Sequence, residues 1–143
     1  MLAYLDSSVL LRIIFNESTA LPEFKKIRHA ISSELIKIEC LRTIDRMRIR
    51  LSMPDEEVEK RIASVFYALD RIELIPVSEI ILDRASQPFP TMLGTLDAIH
   101  LASALEWQSA YGSSPIVVTH DQELGRAARS MGFEVLGCSE DVQ

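Results

Sequence analysis

The chain lacks the features of a disulfide-rich, zinc-binding, membrane or exported protein. It has two cysteines in 143 residues. Cys40 falls in a helical apolar pattern and Cys138 lies in the predicted tail, so neither suggests a disulfide or zinc framework. No apolar run approaches the ~20 residues of a membrane-spanning helix, and the first residues carry neither the basic region nor the cleavage site of an export signal. These absences predict a protein of the reducing cytoplasm with no membrane association.

An excess of positive charge is also missing. Fifteen lysines and arginines face 21 acidic residues, which gives a formal net charge of -6. Taken alone, this argues against a nucleic-acid-binding protein, because such proteins usually carry a basic surface. The distribution of charge weakens that objection, since four arginines lie close together at Arg42, Arg46, Arg48 and Arg50. Part of the negative charge would also belong to a metal site, which a bound cation neutralises.

No internal repeat, low-complexity tract or linker divides the chain. Its length suits one domain with a sizeable core, and its 48% apolar and 25% charged residues are typical of soluble globular proteins. We therefore predict a single domain over residues 1–143, with a frayed tail from about residue 138.

Short apolar runs alternate with helical patterns along the chain. The predicted strands are 2–5, 29–32, 72–77, 116–119 and 133–136. The predicted helices are 7–15, 18–27, 33–51, one opened by Pro54, 78–86, 95–110 and 121–130. Such alternation implies a parallel sheet covered on both faces. We predict a three-layer α/β domain with a central parallel sheet of four to five short strands and about seven helices.

Two of the predicted helices carry apolar residues at a spacing of three or four, which predicts a face turned toward the core. The core-facing residues are Ile36, Cys40, Ile44, Met47 and Leu51 in the first, and Val58, Ile62, Val65, Phe66 and Leu69 in the second.

Four acidic residues lie at or beside predicted strand-to-helix junctions. Asp6 ends the first strand, and Asp121 follows the apolar run at 116–119. Asp97 lies in the first turn of an almost wholly apolar helix, and Glu39 lies in a stretch of helix that we expect to be largely buried. Ligands of open α/β folds bind at the carboxyl ends of the strands. We therefore expect the four carboxylates to converge on one pocket.

Each acid alone also has a structural explanation. Asp6 and Asp121 would cap the helices that follow, a contribution of ~1 kcal/mol, although Thr119 with Gln122 is an alternative capping box. Asp97 would interact favourably with its helix dipole, by ~0.3–1 kcal/mol. A glutamate in the middle of a helix is usually solvated.

Convergence of the four acids would require a cation. Two carboxylates ~5 Å apart repel each other by ~3 kcal/mol at an effective dielectric constant of ~20. Some of the four would therefore stay protonated in an empty site. Oxygen ligands suit Mg²⁺ or Mn²⁺ rather than zinc. One or two such ions would activate a water molecule and stabilise charge on a phosphoryl group during an in-line displacement.

Three further polar side chains lie near these acids in the sequence. The hydroxyl of Ser8 is placed to hold Asp6, and that of Thr119 to hold Asp121, while a capping role is an equal alternative for both. His100 follows Asp97 by one helical turn. A lone histidine on an apolar helix is more often a packed core residue than a catalytic one.

The arginine cluster follows Glu39 on the same predicted helix. Arg42, Arg46 and Arg50 recur every four residues and would be placed to guide phosphates toward the metal. The alternative is a solvated helix face that is paired with Asp45.

The ordered acids resemble those of the PIN domain, and within it the VapC-type toxin ribonucleases of bacteria and archaea. The segment from Tyr4 to Ser8 resembles the family's first acid with its Ser/Thr partner. Glu39, after a serine pair, resembles the second acid. Asp97-Ala-Ile-His-Leu-Ala resembles the third, and Val-Thr-His-Asp121 resembles the late strand with its acidic end. The likeness spans residues 1 to about 136.

The resemblance implies a compact five-stranded parallel sheet and metal-dependent hydrolysis of RNA phosphodiester bonds, leaving a 5′-phosphate and a 3′-hydroxyl. Asp6 and Asp97 would be the primary ligands of Mg²⁺ or Mn²⁺, and Glu39 and Asp121 would complete the site directly or through water. The VapC type also implies a homodimer and a cognate antitoxin that inserts residues into the acidic pocket.

Two other function classes remain open. A phosphohydrolase acting through an aspartyl phosphate on Asp6 is one. Dehalogenase-like enzymes require a second aspartate where this chain has Ser8, and receiver domains require a late lysine, whereas no lysine follows Lys60. The other is a catalytically silent binding module that has kept the fold.

Overall fold

The computed structural model describes residues 1–15 and 25–138. The five strands in this part of the chain form one parallel sheet in the order β3-β2-β1-β4-β5. They are β1 (Leu2–Leu5), β2 (His29–Ser33), β3 (Ile72–Ile75), β4 (Ile116–Val118) and β5 (Val135–Leu136). In the central strand β1, Tyr4 is in register with Ile31 of β2 and Val117 of β4. The predicted parallel α/β fold is confirmed.

Six α-helices connect and cover the strands in the same part of the chain. They are α1 (Ser7–Ile14), α2 (Leu35–Leu51), α3 (Asp55–Leu69), α4 (Glu79–Ala85), α5 (Thr95–Tyr111) and α6 (Gln122–Ser130). None of these helices is both long and apolar enough to cross a membrane. Most of the helix predicted at 18–27 falls on residues 16–24, and most of the predicted tail on residues 139–143. Both stretches lie outside the described residues.

The sheet separates two apolar layers, because successive side chains of a strand point to opposite faces. Ala3 and Leu5 of β1 face the layer formed by α1, α2 and α3. Tyr4 faces the opposite layer, which is formed by α5 and α6. The two layers place β1 in the centre of the molecule and its carboxyl end between α1 and α5.

Four predicted helix starts were one or two residues too early, because Ser78 and Asp121 cap their helices and two other starts have reasons of their own. Ser33 was predicted to begin α2, but it remains in β2, where its backbone N–H donates to the Tyr4 hydroxyl at 3.0 Å. The Glu34 N–H donates to the Ile75 carbonyl, so α2 begins only at Leu35. Pro54 was placed in the first turn of α3, but it is the residue before the helix, with an extended backbone.

The predicted apolar faces were wrong at two positions, and the expected burial around Glu39 was wrong at a third. Leu51 and Phe66 were expected in the core but are 64% and 45% exposed, and Ile38, next to Glu39, is 60% exposed. Helix α2 has 17 residues and is therefore about 25 Å long, whereas the strand that it covers has five residues. Its far end thus extends past the sheet, while Ile36, Cys40 and Ile44 are buried as predicted.

Candidate functional site

Asp6 lies at the junction of β1 and α1, next to the neighbouring strand β4. Its backbone N–H donates to the Val118 carbonyl at 3.1 Å, which continues the pairing of the two strands by one residue. Its Oδ1 accepts the Ser7 N–H at 2.8 Å and thereby caps α1. Asp6 is 4% exposed. The capping explanation is therefore correct for Asp6, and it places the carboxylate at the carboxyl end of the central strand.

Two hydroxyl groups hold the other oxygen of the Asp6 carboxylate. Ser8 Oγ donates to Asp6 Oδ2 at 2.7 Å, and Thr119 Oγ1 donates to the same atom at 2.8 Å. Ser8 Oγ accepts the His120 N–H, and Thr119 Oγ1 accepts the Asp121 N–H, each at 3.0 Å. The two hydroxyls thus connect the loop after β1 to the loop after β4. Ser8 holds the Asp6 carboxylate as predicted, whereas Thr119 was expected to hold Asp121 but holds the Asp6 carboxylate and contacts Asp121 through its backbone N–H.

Asp121 is the second acid at this edge of the sheet. Its Oδ1 accepts the Leu124 N–H at 3.0 Å, so Asp121, rather than Thr119, caps α6. The Cys138 thiol lies 3.2 Å from the carbonyl oxygens of both Thr119 and Asp121. The chain segment after β5 therefore packs against the loop that carries Asp121.

A histidine, His100, links the Glu39 carboxylate to that of Asp6. Glu39 Oε1 lies 2.5 Å from His100 Nε2, which is also 3.9 Å from Asp6 Oδ1. The ligand atoms of these three residues lie within 4.8 Å of one another. His100 Nδ1 lies 2.7 Å from the Tyr4 hydroxyl. Sequence reasoning did not find this role of His100, and its only signal was its position one helical turn after Asp97.

The His100 ring is fully buried at a site rich in negative charge. Burial lowers the pKa of the imidazole, but the hydrogen bond to Glu39 and the charges of Glu39, Asp6 and Asp97 outweigh it. The net effect is a raised pKa. The surrounding acids therefore favour protonation of the imidazole.

Asp97 lies in the first turn of α5, where it is partly buried. In the described part of the chain its carboxylate has neither a hydrogen bond nor an ion pair. Burial is the largest cause that raises its pKa to about 7, followed by the charges of Asp121, Asp6 and Glu39, which outweigh the opposing effect of His100. Asp97 thus interacts electrostatically with all three other acids. The structure therefore places Asp97 within electrostatic range of the other three predicted acids, while the ligand atoms within 4.8 Å of one another are those of Asp6, Glu39 and His100.

The arginines of α2 divide between two sides of the helix. Arg42 and Arg48 both pair with Asp45, at 3.5 Å and 2.9 Å. The hydrogen bond from Arg48, helped by the charges of both arginines, lowers the pKa of the exposed Asp45 carboxyl. For Arg42, the structure thus shows the alternative of an exposed pair with Asp45.

Arg46 and Arg50 lie in line with Glu39. They follow it by seven and eleven residues, which places each within about 20° of Glu39 around the helix axis. Arg46 donates to Thr43 Oγ1 at 3.1 Å, and Thr43 donates to the Glu39 carbonyl at 2.8 Å. Both arginines are exposed. A row of positive charge therefore extends along α2 from the acidic pocket, whereas Arg48 lies on the opposite side of the helix.

The amino-acid sequence is similar to those of known proteins. The sequence model of the PIN domain matches residues 3–130. The chain is 32% identical over 139 residues to "Ribonuclease VapC46" of Mycobacterium tuberculosis, covering 95% of this chain and 97% of that protein. It is 28% identical over 141 residues to "Ribonuclease VapC47" of the same species, covering 91% and 92%.

Two solved structures share the fold at low sequence identity. A toxin-antitoxin complex from Klebsiella pneumoniae has a chain with a TM-score of 0.62 and 14% identity, covering 99% of this chain and 98% of that one. A chain of VapBC2 from Rickettsia felis, bound to a DNA fragment from its promoter, has a TM-score of 0.61 and 13% identity, covering 94% and 97%. The fold, the family model and the two curated relatives agree: the chain belongs to the PIN domain family.

Proposed function

We propose that this protein is a Mg²⁺- or Mn²⁺-dependent endoribonuclease and the toxin of a toxin-antitoxin pair. The observation that carries the proposal is the raised pKa of Asp97, whose carboxyl interacts with three acids from three other segments of the chain. Carboxylates that repel one another in this way favour a divalent cation among them. The curated relatives are named as ribonucleases, which supports RNA as the substrate class.

The donor set fits the proposed ion. Asp97 makes no hydrogen bond in the described part of the chain, so both of its oxygens are available to a metal. We assign Asp6 and Asp97 as primary ligands and Glu39 and Asp121 as residues that complete the site. Carboxylate oxygens are the ligands that Mg²⁺ and Mn²⁺ prefer. When bound, such an ion lowers the pKa of a water molecule and stabilises charge on the phosphoryl group.

The chain's own residues hold this arrangement before any ion binds. Ser8 and Thr119 fix one oxygen of Asp6, and the cap of α6 fixes one oxygen of Asp121. A preorganised site of this kind loses little side-chain entropy when it binds a ligand. These contacts support the assignment of Ser8 and Thr119 as supporting residues.

The first test is cleavage of a labelled RNA by the Asp97→Asn variant. We expect the cleavage rate to fall at least about a hundredfold, because the removal of one charge-stabilising group from an active site typically slows the reaction 10²–10³-fold. EDTA should abolish wild-type cleavage, and Mn²⁺ should restore it. Asp70→Asn, at an exposed position after α3, is the matched control and should cleave normally. Full activity of Asp97→Asn with bound metal excluded would refute the proposal.

The row formed by Arg46 and Arg50 is the proposed RNA contact. It begins about 10 Å from Glu39 along the helix axis and continues to about 16 Å. Replacing both arginines by alanine should raise KM with little change in kcat, and should lower the slope of log affinity against log salt by about 1.4, at ~0.7 for each contact with a single strand. Arg48→Ala, on the opposite side of α2, should change neither quantity. An equal effect of Arg48→Ala would exclude this row as the contact.

The two alternative functions make different predictions. Both oxygens of Asp6 already accept hydrogen bonds, from Ser7, Ser8 and Thr119, which disfavours this carboxylate as a nucleophile toward phosphate. A phosphohydrolase acting through Asp6 would bind beryllofluoride there. A silent binding module would show weak or no Mn²⁺ binding in calorimetry.

The partner proposals rest on the similar proteins. Both solved structures are named as toxin-antitoxin complexes or members of such a pair, and we propose a cognate antitoxin and a homodimer for this chain as well. We also place its activity in the cytoplasm, where RNA substrates and such a partner occur. Co-expression with a small protein encoded next to it should inhibit cleavage and allow co-purification. Light scattering should give twice the mass of the chain, and a monomer would contradict the homodimer.

A further inference from the structure

We infer that His100 and Tyr4 are positioning residues that hold Glu39 in the acidic pocket. The inference rests on the proposed metal site. It assigns a positioning role to two buried residues that are not among the proposed metal ligands. They form a continuous chain of contacts, from the Ser33 backbone N–H to the Tyr4 hydroxyl, to the His100 ring and to the Glu39 carboxylate.

A proton must lie between His100 and Glu39. An imidazole nitrogen without hydrogen and a carboxylate oxygen would repel each other at 2.5 Å, because both carry lone pairs. We assign this proton to His100 Nε2, because the Tyr4 hydroxyl lies at Nδ1 and can donate there, and a neutral ring that accepts at Nδ1 carries its hydrogen on Nε2. This assignment makes the imidazole a hydrogen-bond donor rather than a metal ligand, and it leaves Glu39 Oε2 free for an ion.

The chain of contacts is anchored in the backbone. The Ser33 N–H can only donate, so the Tyr4 oxygen accepts it, and the phenol hydrogen remains available for His100 Nδ1 at 2.7 Å. Tyr4 is 1% exposed and His100 is 0% exposed. Buried polar groups in folded proteins are almost always paired, and here the pairing leads from β2 through β1 and α5 to α2.

Glu39 needs such a restraint because of its position. Its side chain is 17% exposed, and its neighbours Lys37 and Ile38 on α2 are exposed. A glutamate at such a position has several rotamers that point to solvent. The hydrogen bond from His100 selects the rotamer that points to Asp6. Loss of an outer contact of this kind typically weakens metal affinity ten- to a hundredfold.

The test measures Mn²⁺ affinity by calorimetry on the whole chain. We expect His100→Ala to bind Mn²⁺ ten- to a hundredfold more weakly, and His100→Gln, whose amide can still donate, to retain part of the affinity. Tyr4→Phe should weaken binding by less than His100→Ala. Leu101→Val is the control, since it perturbs a buried neighbour on α5 without a polar contact, and it should bind Mn²⁺ normally even if it lowers the unfolding temperature.

Two further readouts separate positioning from a general structural effect. In a Glu39→Ala background, His100→Ala should cause no additional loss of Mn²⁺ affinity, because its effect passes through Glu39. In RNA cleavage by the single variant, kcat should fall while KM stays the same. A full additional loss in the Glu39→Ala background would overturn the inference.

Spectroscopy of the wild type distinguishes this inference from the function on which it rests. Metal-free protein should show a downfield proton on His100 Nε2 that is lost in Glu39→Ala, and electron spin echo spectra with Mn²⁺ should show no coordinated nitrogen. A coordinated nitrogen, or the absence of that proton, overturns the positioning role alone. A wild type that binds no Mn²⁺ refutes the metal site itself and, with it, the positioning inference.

Discussion

Asp97→Asn should stabilise the metal-free protein at neutral pH, although the same change is expected to abolish cleavage. Burial and three neighbouring carboxylates raise the pKa of Asp97 from 3.8 to about 7. Each unit of pKa corresponds to about 1.4 kcal/mol, and solvent screens part of the effect at this partly exposed group. Ionisation of Asp97 should therefore cost the folded state about 2–4 kcal/mol at pH 7 and above. Asparagine has the same shape and no charge, and it removes this cost.

The dependence on pH has a definite sign. Because the pKa is higher in the folded state than in the unfolded chain, the folded state retains the proton more strongly between pH 4 and pH 7. The wild type should therefore lose stability as the pH rises through this range, with little further change above it. With screening included, the advantage of the asparagine variant should be about 1–2 kcal/mol at pH 5 and about 2–4 kcal/mol at pH 7.5.

Urea unfolding in EDTA at pH 5 and pH 7.5 measures both values, and thermal unfolding should show a difference of roughly 10 °C at pH 7.5. Mn²⁺ should reduce this difference, since the wild type gains about 2.7 kcal/mol at a hundred times its Kd while the variant binds the ion weakly. Asp70→Asn should show no such pattern. A variant that is no more stable than the wild type at pH 7.5 in EDTA, or an advantage that is equal at both pH values, would refute the electrostatic account of the pocket.

Two further predictions concern other properties of the same protein. Calorimetry at pH 6, 7 and 8 should show a Mn²⁺ affinity that rises by up to about tenfold per pH unit below pH 7 and levels off above it. The reason is that the ion displaces one proton from the Asp97 carboxyl, whose pKa is raised. A constant affinity would contradict that displacement. Gly125→Ala should not raise the free energy of unfolding by the ~0.5–1 kcal/mol that alanine usually adds inside a helix, because its Cβ would lie 3.0 Å from the Cys138 sulfur. In a Cys138→Ala background, urea unfolding should show part of that gain.

The parts of the fold that were predictable are those encoded locally. The opening apolar run gave β1 with its correct bounds, and Asp6 and Asp121 were found because an acid after a buried strand is visible in a short window of sequence. Both acids cap a helix and also interact electrostatically with Asp97, so the capping explanation does not exclude a role in the proposed site. The catalytic roles of the four acids stay predictions.

The parts that were missed depend on contacts between distant segments. His100 and Glu39 are 61 residues apart, and no periodicity within either helix reveals that they meet. The exposure of Leu51 follows from how far α2 extends past the sheet, which its apolar spacing does not encode. Phe66 lies next to the buried Val65, and its ring contacts the Lys37 ammonium instead of the core. The regular spacing of the arginines also does not show that Arg42 pairs with Asp45, whereas Arg46 lies in line with Glu39; only the structure shows this difference.

The strand order determines when, during synthesis of the chain, the site with the four acids can form. The first strand of the chain is central, and one of its two edges is closed only by β4, more than a hundred residues later. A nascent chain that has not reached Val118 has an open edge on β1 and lacks both Thr119 and Asp121. Sheets built from such distant pairings form late in folding. If the proposed activity is correct, a partly synthesised chain at the ribosome is harmless to RNA, and activity appears only when nearly the whole domain has been made.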